Sequence, residues 1–220
     1  MFAERLISHE LFPLKRTDSC ETAVMFMHDW GVAHLPVVEN NMVIGYVTLQ
    51  DAVNSKKAEK VSICIKNDKL ITAFDHQHIF ELMRIFDETG LSTLSVVGKE
   101  NNFLGILSVK ELVKALYRDS SLSQIGGIIT LEMQAKDYSL AELSRIVEYN
   151  DVKIIHVYIY TISPENNTIL ISLKFNQPEL KNVIASLERH GKLIRSVHQA
   201  TSNDDTDSNR YDWLIKYLNT

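Results

Sequence analysis

The first half of the chain is written twice. Gly45-Tyr46-Val47-Thr48-Leu49-Gln50-Asp51 returns 60 residues later as Gly105-Ile106-Leu107-Ser108-Val109-Lys110-Glu111, and Leu35-Pro36-Val37-Val38 returns 59 residues later as Leu94-Ser95-Val96-Val97. The one-residue difference places an insertion in the second turn, Gly98 to Asn102, relative to Glu39-Asn40-Asn41, and surface turns tolerate insertions. Upstream of each motif runs an apolar stripe at i, i+3, i+4, i+7: Cys20, Ala23, Val24 and Met27, then Ile79, Leu82, Met83 and Phe86. That spacing predicts two helices. Gly31 and Gly90 stand where left-handed C-caps fall, and Asp18 or Ser19 and Asp75 offer N-caps. Short apolar runs follow, then a further helix from Leu49 or Val109, so the order helix, strand, strand, helix occurs twice. A unit of about 60 residues buries its own strands poorly. The expected solution is two copies packed sheet to sheet as a pseudo-symmetric pair with a crevice between them.

Composition narrows the function classes. The 23 Lys and Arg against 28 Asp and Glu leave a formal net charge of −5, without the basic surface that nucleic-acid backbones require. Cys20 and Cys64 are too few for a disulfide framework and form no CxxC pair, which suits a reducing cytoplasm. Met1 to Glu10 carries charges where a signal peptide has its apolar run, and no stretch approaches the roughly 20 apolar residues of a membrane span. Walker A, GxGxxG, GxSxG and HExxH patterns are missing. Asp75, His76 and His78 lack the i, i+4 spacing that sets two imidazoles on one helix face. The reading is a cytoplasmic binding protein rather than an enzyme, with no catalytic cofactor, no metal, and neither nucleic acid nor membrane as partner.

The Leu-Pro-Val-Val run, the Asn-rich turn and the Gly-h-x-Thr-x-x-Asp motif, repeated about 60 residues apart, resemble a tandem cystathionine β-synthase (CBS) domain pair. The resemblance implies an α/β fold over residues 1–120, with repeats at about 10–57 and 62–118. It also implies a regulatory role, in which clefts between the repeats accept an adenine nucleotide (AMP, ADP, ATP or an adenosyl compound) and relay its presence to an attached domain.

Thr48 with Asp51, and Ser108 with Glu111, have two readings. A hydroxyl followed three residues later by an acid is a capping box, which prefers Glu; the family's nucleotide motif prefers Asp, whose carboxylate accepts ribose hydroxyls. Asp51 therefore leans to ligand and Glu111 to cap, and either helix start favours a phosphate. Gly45 and Gly105, inside apparent strands, signal a bulge or the close approach of ligand or backbone. Pro36, replaced by Ser95 in the second copy, and His34, able to meet phosphate when protonated, complete the candidate set.

After Gln124 the pattern changes to strand, helix, strand, strand, helix, strand: Ile128 to Met133, a helix marked by Leu140, Leu143 and Val147, Val152 to Thr161, Thr168 to Phe175, a helix marked by Leu180, Val183, Ile184 and Leu187, and Lys192 to His198. This is the ferredoxin-like plan, and residues 121–199 resemble an ACT domain, a small-molecule-binding regulatory fold. Its ligand-binding members carry a glycine in the loop that here reads Lys136-Asp137-Tyr138-Ser139-Leu140. Residues 200–210, with Asp204, Asp205 and Asp207, read as a flexible acidic linker. Residues 211–220 read as an amphipathic helix, with Tyr211, Leu214, Ile215 and Leu218 on one face, able to recruit a partner protein. Open sheet edges and the habits of both families point to a homodimer. The alternative function is a structural adaptor that binds no nucleotide and recruits a partner enzyme.

Overall fold

A computed structural model describes residues 1–67, 70–118, 121–163 and 166–199. The chain divides into two compact units, Met1–Asp119 and Ser120–Thr220. The expected linker at 200–210 and helix at 211–220 lie outside the described residues.

In the first unit, α1 (Cys20–Trp30) starts at Ser19, whose Oγ accepts the Thr22 amide at 3.0 Å, and stops at Gly31 with φ 65°. β1 (His34–Glu39) and β2 (Met42–Thr48) form an antiparallel hairpin. Its two-residue turn places Asn40 and Asn41 at φ 49° and 62°, the left-handed pair that matches the twist of hairpin strands. α2 (Leu49–Asn54) follows. The second copy begins with β3 (Thr72–Phe74), which pairs parallel with β4 (Thr93–Val97). α3 (Ile79–Thr89) ends at Gly90 with φ 66°. β5 (Phe103–Ser108) then pairs antiparallel with β4, and α4 (Val109–Arg118) closes the copy. The one-residue insertion sits in the β4–β5 turn, where Asn101 takes φ 57°.

One expected cap is corrected. Asp75 does not cap α3, because the helix begins at Ile79 and the cap falls to His78, whose ring accepts the Phe80 amide at 3.4 Å. The Asp75 carboxylate instead accepts from His76 Nδ1 at 2.8 Å.

The repeats exchange arms. The chain start, including a 3-10 turn at Ala3–Leu6, packs on the second repeat: Ala3 and Leu6 are buried in one cluster with Leu82, Leu94 and Leu112. The Ser8 amide bonds to Ile106 O of β5 at 2.8 Å. Reciprocally, residues after Val61 return to the first repeat, where Lys66 pairs with Tyr46 of β2 through two backbone hydrogen bonds of 2.8 and 3.0 Å. Ile106 in turn is buried among Leu35, Val37 and Val47. Apolar burial drives this exchange, and it makes the two copies one folding unit.

The second unit is a four-stranded antiparallel sheet in the order β7-β8-β6-β9, built from β6 (Ile128–Gln134), β7 (Ile154–Ser163), β8 (Thr168–Phe175) and β9 (Leu193–His198). α5 (Leu140–Glu148) and α6 (Lys181–Arg189) pack together and supply Leu143, Val147, Val183 and Leu187 to a core with Ile129, Leu131, Ile171 and Phe175. Two intertwined βαβ halves with first and last strands adjacent are the ferredoxin-like plan expected from the sequence. No helix among the described residues is long and apolar enough to cross a membrane.

Candidate functional site

The candidate residues of the first repeat gather where β2 passes into α2. Thr48 keeps an extended backbone, and its Oγ1 accepts the Asp51 amide at 3.0 Å, the cap that starts a helix of only six residues. The same hydroxyl donates to Asp51 Oδ2 at 2.5 Å, and Lys66 Nζ, arriving on the exchanged arm, lies 2.9 Å from that oxygen. The hydrogen bond from Thr48 and that from Lys66 hold the Asp51 carboxyl below its ordinary pKa. A carboxylate with a charged partner and a second oxygen remaining can accept further donors.

Beside this group lies a narrow recess lined by His34 and Pro36 of β1, Gly45 and Tyr46 of β2, and Thr93 and Ser95 of β4, with a volume of about 20 Å³. A space of this size has room for about one water, so the recess is nearly filled by its own walls. Pro36 and its counterpart Ser95 thus face one space. Gly45 stands at a break in the β1–β2 register, and a Cβ on it would meet Ile65 Cγ2 at 2.3 Å and Lys66 O at 2.7 Å. Gly105 occupies the same position at the β4–β5 register break, where a Cβ would meet Ile7 Cγ2 at 2.4 Å. Both glycines therefore admit the exchanged arms at a bulge: the backbone of Lys66 approaches Gly45, and the side chain of Ile7 approaches Gly105.

His34 is corrected in one respect. Burial, reinforced by the charge of Lys66, lowers its pKa, and its Nδ1 accepts the Ser92 amide at 3.0 Å. A ring that accepts there is neutral with its proton on Nε2, so it offers a neutral donor rather than a cation. Ser92 also accepts the amides of Ala33 and His34 at 2.9 and 3.0 Å, and Thr93 Oγ1 donates to His34 O at 2.8 Å. These bonds staple β1 to β4 across the pair. Sequence reasoning missed Ser92, Thr93, Tyr46 and Lys66; the only signal was that 92 and 93 are the repeat counterparts of 33 and 34.

The second copy is built differently. Ser108 Oγ accepts the Glu111 amide at 3.2 Å, but the Glu111 carboxylate accepts from Lys114 Nζ of its own helix at 2.7 Å. The structure therefore brings Thr48, Asp51, Gly45, His34 and Pro36 into one neighbourhood, while Ser108, Glu111 and Gly105 form a second, dissimilar one.

The family profile of the CBS domain matches residues 3–57 and 61–118, just over half of the chain. The chain belongs to the CBS domain family. An uncharacterized protein of Methanocaldococcus jannaschii is 26% identical over 224 residues, covering 97% of this chain and 80% of its own length. The inosine-5'-monophosphate dehydrogenase of Thermoplasma acidophilum is 25% identical over 172 residues, covering 78% of this chain but 34% of the dehydrogenase. Among solved structures, a CBS domain pair/ACT domain protein of Thermotoga maritima is similar at 15% identity and TM-score 0.48, covering 54% of this chain and 98% of that one.

Proposed function

We propose that this chain is a regulatory protein whose first CBS repeat binds an adenine nucleotide, with Thr48 and Asp51 receiving the ribose hydroxyls. The observation that carries the reading is the triad at the start of α2, in which Asp51 Oδ2 lies 2.5 Å from Thr48 Oγ1 and 2.9 Å from Lys66 Nζ. Asp51 is ionised and already oriented, while Lys66 supplies positive charge that suits a phosphate. The recess of about 20 Å³ accepts an adenine ring only if its walls move, and these include Leu70 and Ile71 of the arm segment that follows Lys66. Ligand entry is thereby coupled to arm movement, and the arm belongs to the opposite repeat. Binding that moves an element shared by both copies is a means of signalling occupancy, with no bond made or broken.

The ferredoxin-like unit, on this reading, is an ACT-like domain that contributes assembly or a second small ligand. Homodimer formation is supported by exposed apolar side chains on helices of the first unit, Phe80, Met83, Val113 and Tyr117, a concentration that marks interaction surfaces. The nearly closed recess favours the second reading, an adaptor without nucleotide that recruits a partner enzyme. Isothermal titration of the full chain with AMP, ADP and ATP separates the two: saturable binding supports the sensor, and flat titrations with all three select the adaptor.

A further inference from the structure

In the ferredoxin-like unit, the ends of α5 and α6 enclose a cavity of about 310 Å³. Arg145, Ile146 and Tyr149 line it from α5, and Ser186, Arg189 and His190 from α6. Small-molecule sites span about 300–1,000 Å³, so this one suits a compact ligand.

A buried polar bridge fixes the donors. Ser186 is only 3% exposed, and Asn150 Nδ2 ties the two helices by donating to Ile146 O at 2.9 Å and Ser186 Oγ at 3.1 Å. Arg189 donates through Nη2 to the same hydroxyl at 2.9 Å and through Nε to Ala185 O at 3.3 Å. His190 Nδ1 donates to Ser186 O at 2.7 Å. Arg189 and His190 are thus held before any ligand arrives, and preorganised groups lose less entropy on binding. The other guanidinium donors of Arg189 and the Nε2 of His190 have no hydrogen-bond partner among the described residues.

Charge sets the ligand class. Cations at a helix end are favoured by the dipole, and Arg189 and His190 close α6 on its own carbonyls. Arg145 does nothing comparable: among the described residues its side chain makes no hydrogen bond or ion pair. No Asp or Glu lines the cavity, and Glu142 and Glu148 of α5 are engaged by Lys192 at 2.8 Å and Lys153 at 3.2 Å. An ammonium group would find no counter-charge there, which argues against an amino acid, whereas guanidinium forks fit a carboxylate bidentately. Tyr149, 88% exposed, offers a ring face to a flat apolar body, beside Ile146. The loop Lys136 to Leu140, at the opposite end of α5, takes no part.

We propose that this cavity binds a small planar organic carboxylate without an amino group, its carboxylate between Arg145 and Arg189 and its ring against Tyr149. The proposal deepens the reading of this unit as a small-ligand domain and does not involve the nucleotide site. The test is an amide NMR titration of the full chain with sodium benzoate, with benzamide and inorganic phosphate as separate arms. Benzoate should saturate one site and shift the Tyr149 and His190 amides most. Benzamide, uncharged and of the same shape, should bind about 10-fold or more weakly. Arg145→Gln and Arg189→Gln, both exposed positions, should each cost about 10-fold or more, the usual loss for one charged hydrogen-bond partner. Phosphate binding as tightly as benzoate overturns the ligand class, since the site then reads charge alone. Absence of saturation, or both variants binding as the wild type does, overturns the site. Shifts centred on Lys136 to Leu140 overturn it too but keep the small-ligand reading of the unit, whereas no saturable shift anywhere in the unit removes both.

Discussion

Substituting Gly45 by alanine drives a methyl group into the arm that closes the first repeat. The added Cβ would lie 2.3 Å from Ile65 Cγ2 and 2.7 Å from Lys66 O. A side chain can rotate away; a backbone oxygen that accepts the Tyr46 amide at 3.0 Å cannot move without opening the Tyr46–Lys66 pair. Forced overpacking costs about 1–3 kcal/mol, and each of the two backbone bonds contributes about 0.5–1.5 kcal/mol. The Lys66–Asp51 ion pair, with side chains 47% and 30% exposed, adds little after solvent screening, about 0–1 kcal/mol. Gly45→Ala should therefore destabilise the first unit by about 2–7 kcal/mol. Two other glycines calibrate this figure. At Gly105 the clash at 2.4 Å is with the Ile7 side chain alone, so the cost should fall to about 1–2 kcal/mol. At Gly31 nothing lies within 4 Å and only φ 65° is strained, for about 1 kcal/mol. Urea unfolding followed by circular dichroism reads the order, since a unit of this size loses about 1–3 kcal/mol per molar urea. At the middle of that range the midpoint for Gly45→Ala should drop by roughly 1–3.5 M. A Gly45→Ala midpoint no lower than that of Gly31→Ala would refute the exchanged-arm contact as the reason for glycine.

Two further outcomes follow from the same neighbourhood. His34 has a folded pKa below the ordinary imidazole value of about 6.5 because it is buried near Lys66. The unfolded chain thus binds more protons as pH falls below that value, and stability should decline from there toward the lower folded pKa. Melting temperature against pH should show this decline in the wild type and a flatter profile in His34→Asn, whose amide oxygen replaces the Nδ1 acceptor; identical profiles would contradict the assignment. The Cys64 thiol is pushed up to about 11, chiefly by burial and then by Cys20, whose sulfur lies 4.0 Å away. At pH 8 its thiolate fraction is then on the order of 1 in 1,000, against roughly a quarter for an ordinary thiol. Iodoacetamide should label Cys64 about 100-fold more slowly in the folded than in the urea-unfolded chain, as counted by mass spectrometry, and equal rates would refute it.

The helices and hairpins of the first unit were legible because their signals are local. An i, i+3, i+4, i+7 stripe, a serine before it and a glycine after it specify a helix without reference to the rest of the chain, and the Asn40-Asn41 pair specifies its own turn. Asp75 shows the limit of such signals: an acid near a helix start is a cap only if the helix begins at the next residue, and burial of Ile79 sets that start three residues later. The arms were not legible. Ile7-Ser8 and Ile65-Lys66 each join a strand of the opposite repeat, and nothing within so short a segment encodes which sheet edge it will meet. The candidate site divides along the same line. Thr48, Asp51 and Gly45 belong to one motif and were visible in it, whereas Lys66 reaches Asp51 only through the arm, and Ser92 reaches His34 only through the pairing of repeats. The motif alone makes Glu111 a cap residue; its carboxylate is engaged by Lys114, a charge pattern on α4 that a motif search does not weigh.

The central claim is that the first repeat, through Thr48 and Asp51, is where an adenine nucleotide is read. Its most direct test is titration calorimetry of the wild type, Asp51→Ala and Glu111→Ala with AMP, ADP and ATP. Loss of a hydrogen-bonded ligand contact costs about 1–3 kcal/mol, so Asp51→Ala should weaken the preferred nucleotide by roughly 5- to 150-fold, while Glu111→Ala binds it as the wild type does. Equal losses in both variants, or no saturable nucleotide binding by the wild type, would contradict the account.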